Sequence, residues 1–127
     1  TLARPNIFPW LDVVAKTADY TITEADNNTL FTNRGASGAV VLTLPTTAKK
    51  GLRYGLHVVA GQNLKFTSGT ADTMISFNDA AADSVGFETA SELIGGHLEV
   101  IGDGTSWIVI PSVFGLGLTA QTVTTAT

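Results

Sequence analysis

The acid–base and nucleophilic groups of this 127-residue chain are few: two histidines, eleven acidic residues and a glycine-flanked serine. His57 and His97 are the side chains that titrate near neutral pH. Ser37, in Gly35-Ala36-Ser37-Gly38, is the one serine in a setting that suggests a nucleophile. A Ser-His-Asp hydrolase, however, presents its serine on a sharp elbow of the G-x-S-x-G type beside an oxyanion hole. No such motif occurs, and Ser37 falls in a turn between two strand patterns. His57 lies in a strand pattern and reads as a sheet residue facing an interface or solvent. Paired carboxylates can cleave glycosidic bonds, with Glu24, Asp26, Glu88, Glu92 and Glu99 as candidates. All five lie in or beside turns, where acids are ordinarily solvated. Asp26-Asn27-Asn28 and Asp79 to Asp83 lack the ligand spacing of a calcium loop, and phosphate loops, zinc pairs and dinucleotide fingerprints are missing from the sequence. The chain therefore reads as non-enzymatic, with no catalytic, cofactor-binding or metal-ligating residues assigned.

Composition points the same way. Hydrophobic residues make up 44% of the chain and charged residues 14%, against a usual charged share of about 25%. Threonine, serine, asparagine and backbone supply part of the missing surface polarity; the remainder implies that some of the surface is an interface. A net charge of -4, with Lys49-Lys50 as the sole basic pair, argues against nucleic acid, which requires clustered cations. With no cysteine there are no disulfides or thiolate metal sites. No apolar run approaches the roughly 20 residues that cross a bilayer, and the N-terminal stretch lacks the basic-then-apolar pattern of a signal peptide.

The elements that would position any site are strands. From Asp19 the apolar period is two. The pattern predicts strands at Tyr20 to Thr23, Thr29 to Asn33, Val40 to Leu44, Tyr54 to Val59, Leu64 to Thr67, Met74 to Phe77, Val85 to Thr89, Leu98 to Val100 and Trp107 to Ile110. Glycine, proline and asparagine punctuate them. Gly61-Gln62-Asn63 predicts a hairpin turn. Asp103-Gly104 predicts a two-residue type I′ turn. Pro45 and Pro111 are expected to end their strands. Asn78 to Ser84, with three alanines, predicts either a loop or one helical turn. About nine short strands with frequent turns predict an all-β domain, an antiparallel β-sandwich or jelly roll. No crossover helix for a parallel α/β fold is visible.

Two segments flank this domain of residues 19–111. Residues 1–18 read as an extended arm, broken by Pro5 and Pro9 yet rich in apolar side chains, unlike a disordered tail. It packs either on its own domain or on a neighbouring subunit or larger assembly. Residues 112–127 form a tail with no charge, and no charged side chain follows Asp103. Uncharged β-forming segments are normally protected by charges, proline or pairing, so this tail is expected to be interface-bound. The candidate interface residues are Ile7, Phe8, Trp10, Leu11 and Val13 of the arm and Phe114, Leu116 and Leu118 of the tail.

Five stretches carry a resemblance. They are Y-T-I-T-x-A-D at Tyr20 to Asp26, L-F-T-N-x-G-A at Leu30 to Ala36, V-x-L-x-L-P at Val40 to Pro45, G-L-x-Y at Gly51 to Tyr54, and G-D-G-T-x-W at Gly102 to Trp107. From Asp19 to Ile110 the chain resembles a group of tailed-bacteriophage virion proteins: capsid decoration (cement) proteins, head fibres and tail-fibre or tailspike modules. The resemblance implies a sandwich or jelly-roll domain that forms a homotrimer, attaches to a virion and carries no catalytic residues. A single domain without repeats suits a decoration protein on the outer capsid surface, bound to the major capsid protein and clamping neighbouring subunits. Apolar burial of about 25 cal/mol per Å² would supply that clamp, and threefold repetition would add avidity. The alternative is a trimeric tail-fibre module binding a host receptor or glycan. Neither nucleic acid nor a membrane is an expected partner.

Overall fold

A period-two pattern fixes which side chains share a face, but it does not fix which strands pair. The computed structural model, which describes residues 10–112 and 122–127, supplies the pairing. Its strands in chain order are β1 (Asp12–Ala15), β2 (Tyr20–Thr21), β3 (Thr29–Thr32), β4 (Val40–Thr43), β5 (Arg53–His57), β6 (Leu64–Thr67), β7 (Met74–Ser76), β8 (Asp79–Ala82), β9 (Ser84–Phe87), β10 (His97–Gly102), β11 (Trp107–Ser112) and β12 (Thr124–Ala126). One sheet has seven strands in the order β1-β3-β5-β10-β11-β7-β8, and the other has five in the order β12-β9-β6-β4-β2. The protein is all-β, with two mixed sheets sharing one core, a sandwich-like arrangement.

The antiparallel pairing expected from the sequence is corrected. Among the described residues β1–β3, β3–β5, β2–β4, β4–β6 and β7–β11 are parallel pairs. Parallel neighbours need a long crossover, usually a helix. Here the crossover is a strand of the opposite sheet: the chain alternates between sheets from β1 to β6, so each return to a sheet lays the new strand parallel to the last. Antiparallel pairing appears later, at β5–β10, β10–β11, β7–β8, β6–β9 and β9–β12.

Several turn expectations change with this topology. Gly61-Gln62-Asn63 does not close a hairpin, because β5 and β6 lie in different sheets. The crossing is held by Asn33, a fully buried side chain. Its Oδ1 accepts from the Val59 and Ala60 amides, both at 2.8 Å. Its amide nitrogen donates to the carbonyls of Ala60 at 3.1 Å and Gln62 at 3.3 Å. The Asp103 turn is a four-residue loop from Gly102 to Trp107 rather than a two-residue one, with Asp103 Oδ1 accepting from the Thr105 and Ser106 amides. The two-residue turn with positive φ at both positions is Phe77-Asn78 instead, at +47° and +68°. It joins β7 to β8, so Ala80 to Ala82 are strand residues and not a helical turn. Pro111 lies inside β11 opposite Leu98, beyond the stretch that pairs with β7, where a missing N–H breaks no ladder bond.

The core lies between the sheets. Phe31, Tyr54, Leu56, Met74, Leu98, Val100 and Trp107 come from the larger sheet; Leu42, Leu64, Phe66, Val85 and Phe87 from the smaller. Tyr54 and Trp107 rings pack at 5.8 Å. The Tyr54 hydroxyl donates to the Thr23 carbonyl at 2.9 Å, and burial pushes its pKa to about 12. The flanking segments also contribute strands. Asp12–Ala15 pairs with β3 and Thr124–Ala126 with β9, so the two sheets extend beyond residues 19–111.

Candidate interaction face

Because β5 and β10 pair antiparallel and β3 and β5 pair parallel, alternate residues of five strands form rows across the outer face of the larger sheet. One row runs Val13–Leu30–Gly55–Glu99–Ile110. The next sets Thr32, His57 and His97 side by side. A third sets Arg53, Ile101, Ile108 and Ile75 in line. The β-branched residues of these rows point away from the core. Val13 is 61% exposed and Ile110 43%, with Leu11 at 81% just before β1 and Phe77 at 49% just after β7. Ile75, Phe77, Asn78, Ile108 and Val109 line a shallow cleft of about 370 Å³ at the β7–β8 end of this face.

A polar network crosses the middle of this apolar surface. Arg53 donates from Nη2 to Glu99 Oε1 at 2.8 Å and from Nη1 to Asn28 Oδ1 at 3.2 Å. Its guanidinium lies 3.9 Å from the Trp10 ring centroid. Trp10 in turn covers Gly55, where a Cβ would sit 2.5 Å from the indole Cη2; glycine permits that approach. Glu99 Oε2 lies 3.2 Å from His97 Nε2, and the Nδ1 atoms of His97 and His57 are 3.0 Å apart. Burial raises the Glu99 pKa, but hydrogen bonds from Arg53 and His97 and their charges outweigh it, leaving the carboxyl below its ordinary value. Burial and the neighbouring His97 lower the His57 pKa.

The other candidates are dispersed. Glu24 pairs with Lys49 at 3.1 Å and Glu88 with Lys65 at 3.4 Å. Glu92 accepts from Thr122, and Asp26 from the Tyr20 hydroxyl and the Thr23 amide. Ser37 is exposed in its turn. Each of these four carboxylates thus has its own hydrogen-bond or ion-pair partner. Among the described residues no group of three or more His, Asp or Glu is arranged around a metal position.

Of the interface residues expected from the sequence, Trp10 rests on its own domain at Gly55 and Arg53, while Leu11 and Val13 are exposed on the edge of the larger sheet. Ile7, Phe8, Phe114, Leu116 and Leu118 lie outside the described residues. The sequence reading passed over Ile75, Phe77, Ile108 and Ile110. Its available signal was the strand Trp107 to Ile110, apolar at every position and therefore apolar on both faces. No family model, curated protein or solved structure matches the chain.

Proposed function

We propose that the domain is a non-catalytic assembly module and that the outer face of its seven-stranded sheet meets the partner. The observation that carries this reading is the gathering of Leu11, Val13, Ile75, Phe77 and Ile110 on or beside one face, all exposed. Exposed apolar side chains at both ends of one sheet face, with a polar strip between them, are surface that a partner can cover. Taken with the resemblance drawn from Tyr20 to Trp107, the reading becomes a homotrimeric decoration protein of a bacteriophage capsid, bound to the major capsid protein on the outer shell. We take the two mixed sheets as a divergent form of the sandwich or jelly-roll module of such proteins. Size-exclusion chromatography with light scattering tests the assembly: a trimer is expected, and its loss in Val13→Lys plus Ile110→Lys with the fold retained ties it to this face. Density for the chain at the tail tip of purified virions, and none on the shell, would overturn the capsid location.

One feature favours the alternative, a tail-fibre module that binds a host glycan. Phe77 offers an exposed ring beside the Asn78 and Asp79 side of the cleft, and an aromatic plane with adjacent polar groups suits a sugar. Binding on a glycan array that disappears in Phe77→Ala would select that reading.

A further inference from the structure

His57 and His97 are directly opposed on β5 and β10, with Nδ1 atoms 3.0 Å apart and ring centroids 5.2 Å apart. We propose that this pair is a two-imidazole binding site for a divalent transition-metal ion of the copper(II) or nickel(II) type.

The argument begins with the far side of His97. Histidines that ligate metals generally donate their other ring N–H to a carboxylate, which fixes the tautomer and raises the basicity of the ligating nitrogen. Glu99 Oε2 stands 3.2 Å from His97 Nε2. Glu99 is itself held by Arg53 at 2.8 Å, so the carboxylate is fixed on β10 by a strand neighbour. A proton on Nε2 leaves the Nδ1 lone pair of His97 facing His57. In the metal-free pair His57 supplies an Nδ1 proton to that lone pair. Moving this proton to the Nε2 of His57 frees both Nδ1 lone pairs, and rotation of the two rings then aims them at one point beside the N–N line.

Geometry then selects the ion. With metal–nitrogen bonds of about 2.0–2.1 Å, donors separated by this distance subtend roughly 95° at the metal. That is the angle between adjacent ligands of a square-planar or tetragonal centre, the preference of copper(II) and nickel(II) with nitrogen and oxygen donors, and is narrower than a tetrahedral zinc angle. Water completes the coordination in the isolated domain. The charges around the site also permit a cation. Arg53 and Glu99 neutralise one another, and Thr32, the β3 neighbour of His57, is neutral.

The chain has two histidines, so the test is direct. Titration of the intact chain with copper(II) chloride at pH 7.5, followed by calorimetry and electron paramagnetic resonance, is expected to show one site with two imidazole nitrogens. His57→Gln and His97→Gln, each checked by circular dichroism for retained fold, are expected to weaken copper binding at least tenfold. Glu99→Gln, a positioning change, is expected to weaken it about tenfold while keeping the two-imidazole spectrum. Copper is also expected to raise the unfolding temperature of the wild-type chain and not of His57→Gln. Copper affinity unchanged in either histidine variant, or a bound-copper spectrum without two imidazoles, would overturn the proposal.

Discussion

The two outward faces of the domain share a pleated backbone and carry opposite chemistries. Across the smaller sheet, Thr21, Thr43, Thr67 and Ser84 stand in one row, and Val41, Lys65, Gly86 and Thr124 in the next. Hydroxyls and a Lys65–Glu88 pair cover it, which is how a sheet meets water. Across the larger sheet, isoleucine, leucine and valine surround a strip of Arg53, Glu99 and two histidines, with Trp10 laid over the centre. Both faces have a glycine at mid-sheet, and the reasons differ. A Cβ on Gly86 would lie 2.2 Å from Lys65 Cβ and 2.5 Å from the Leu64 carbonyl oxygen, so there the strands themselves are the obstacle. At Gly55 the obstacles are side chains, the Trp10 indole and, at 3.0 Å, the Leu30 Cδ1. The smaller sheet's face is polar, whereas the larger sheet's face has the chain's own Trp10 laid across its centre.

The sharpest way to break this comparison is to put the same methyl group on both faces. Gly86→Ala is expected to cost about 3 kcal/mol, because backbone must shift. Gly55→Ala is expected to cost about 1 kcal/mol and to release Trp10, seen as a red shift in tryptophan emission. Urea denaturation of both variants checks the ranking, and equal costs would erase the distinction. Next come the two ion pairs. Arg53–Glu99 is 2.8 Å with side chains 19% and 24% exposed, whereas Lys65–Glu88 is 3.4 Å with both 28% exposed. Arg53→Ala also loses Asn28 and the Trp10 stack, so about 2 kcal/mol is expected; Lys65→Ala is expected to cost about 0.5 kcal/mol or less.

Acid separates the faces more gently. His57 has a lowered pKa in the folded state, so the unfolded chain takes up its proton first; the stability this confers is complete above the unfolded value of about 6.5 and is lost as pH falls toward the folded one. Glu99, also lowered, adds a second loss as pH falls through the carboxylate range. The titratable group facing His57 is His97, which is in turn paired with Glu99. Thermal unfolding at pH 7.5 and 5.0 is expected to show lower stability at pH 5.0, with a smaller drop in His57→Gln. The smallest expected effects on stability are at the rims. Val13→Lys and Ile110→Lys, like Thr43→Lys and Thr67→Lys, are expected to change it by about 0.5 kcal/mol or less. Only the first two are expected to alter oligomer state.

Much of the strand content was legible because apolar positions at Val40, Leu42 and Leu44, or Leu64 and Phe66, alternate cleanly between turn residues. Their partners were not, since a period of two is the same for parallel and antiparallel neighbours. The Gly61 turn reads as a hairpin locally; what makes it a crossing is Asn33, far upstream in the chain. Ala80 to Ala82 have no β preference of their own and form a strand because the Phe77-Asn78 turn folds them back on β7. The arm was partly legible. Leu11 and Val13 are exposed, while Trp10 finds its seat in a glycine on β5 that only the register places beneath it. The juxtaposition of His57, His97, Glu99 and Arg53 is likewise a product of register, which composition does not encode.

The alternation of strands between sheets bears on how the domain is made. A sheet built from consecutive hairpins can grow from one contiguous piece of chain, but β1, β3 and β5 are each separated by a strand of the other layer. No short fragment of the first half contains two neighbouring strands. Each layer therefore waits on the other, and most pairing closes a long loop before any contact rewards it. Folding from denaturant is expected to be slow for the chain's length and to occur in one step. A nick between β3 and β4 would cut both layers' wiring at once.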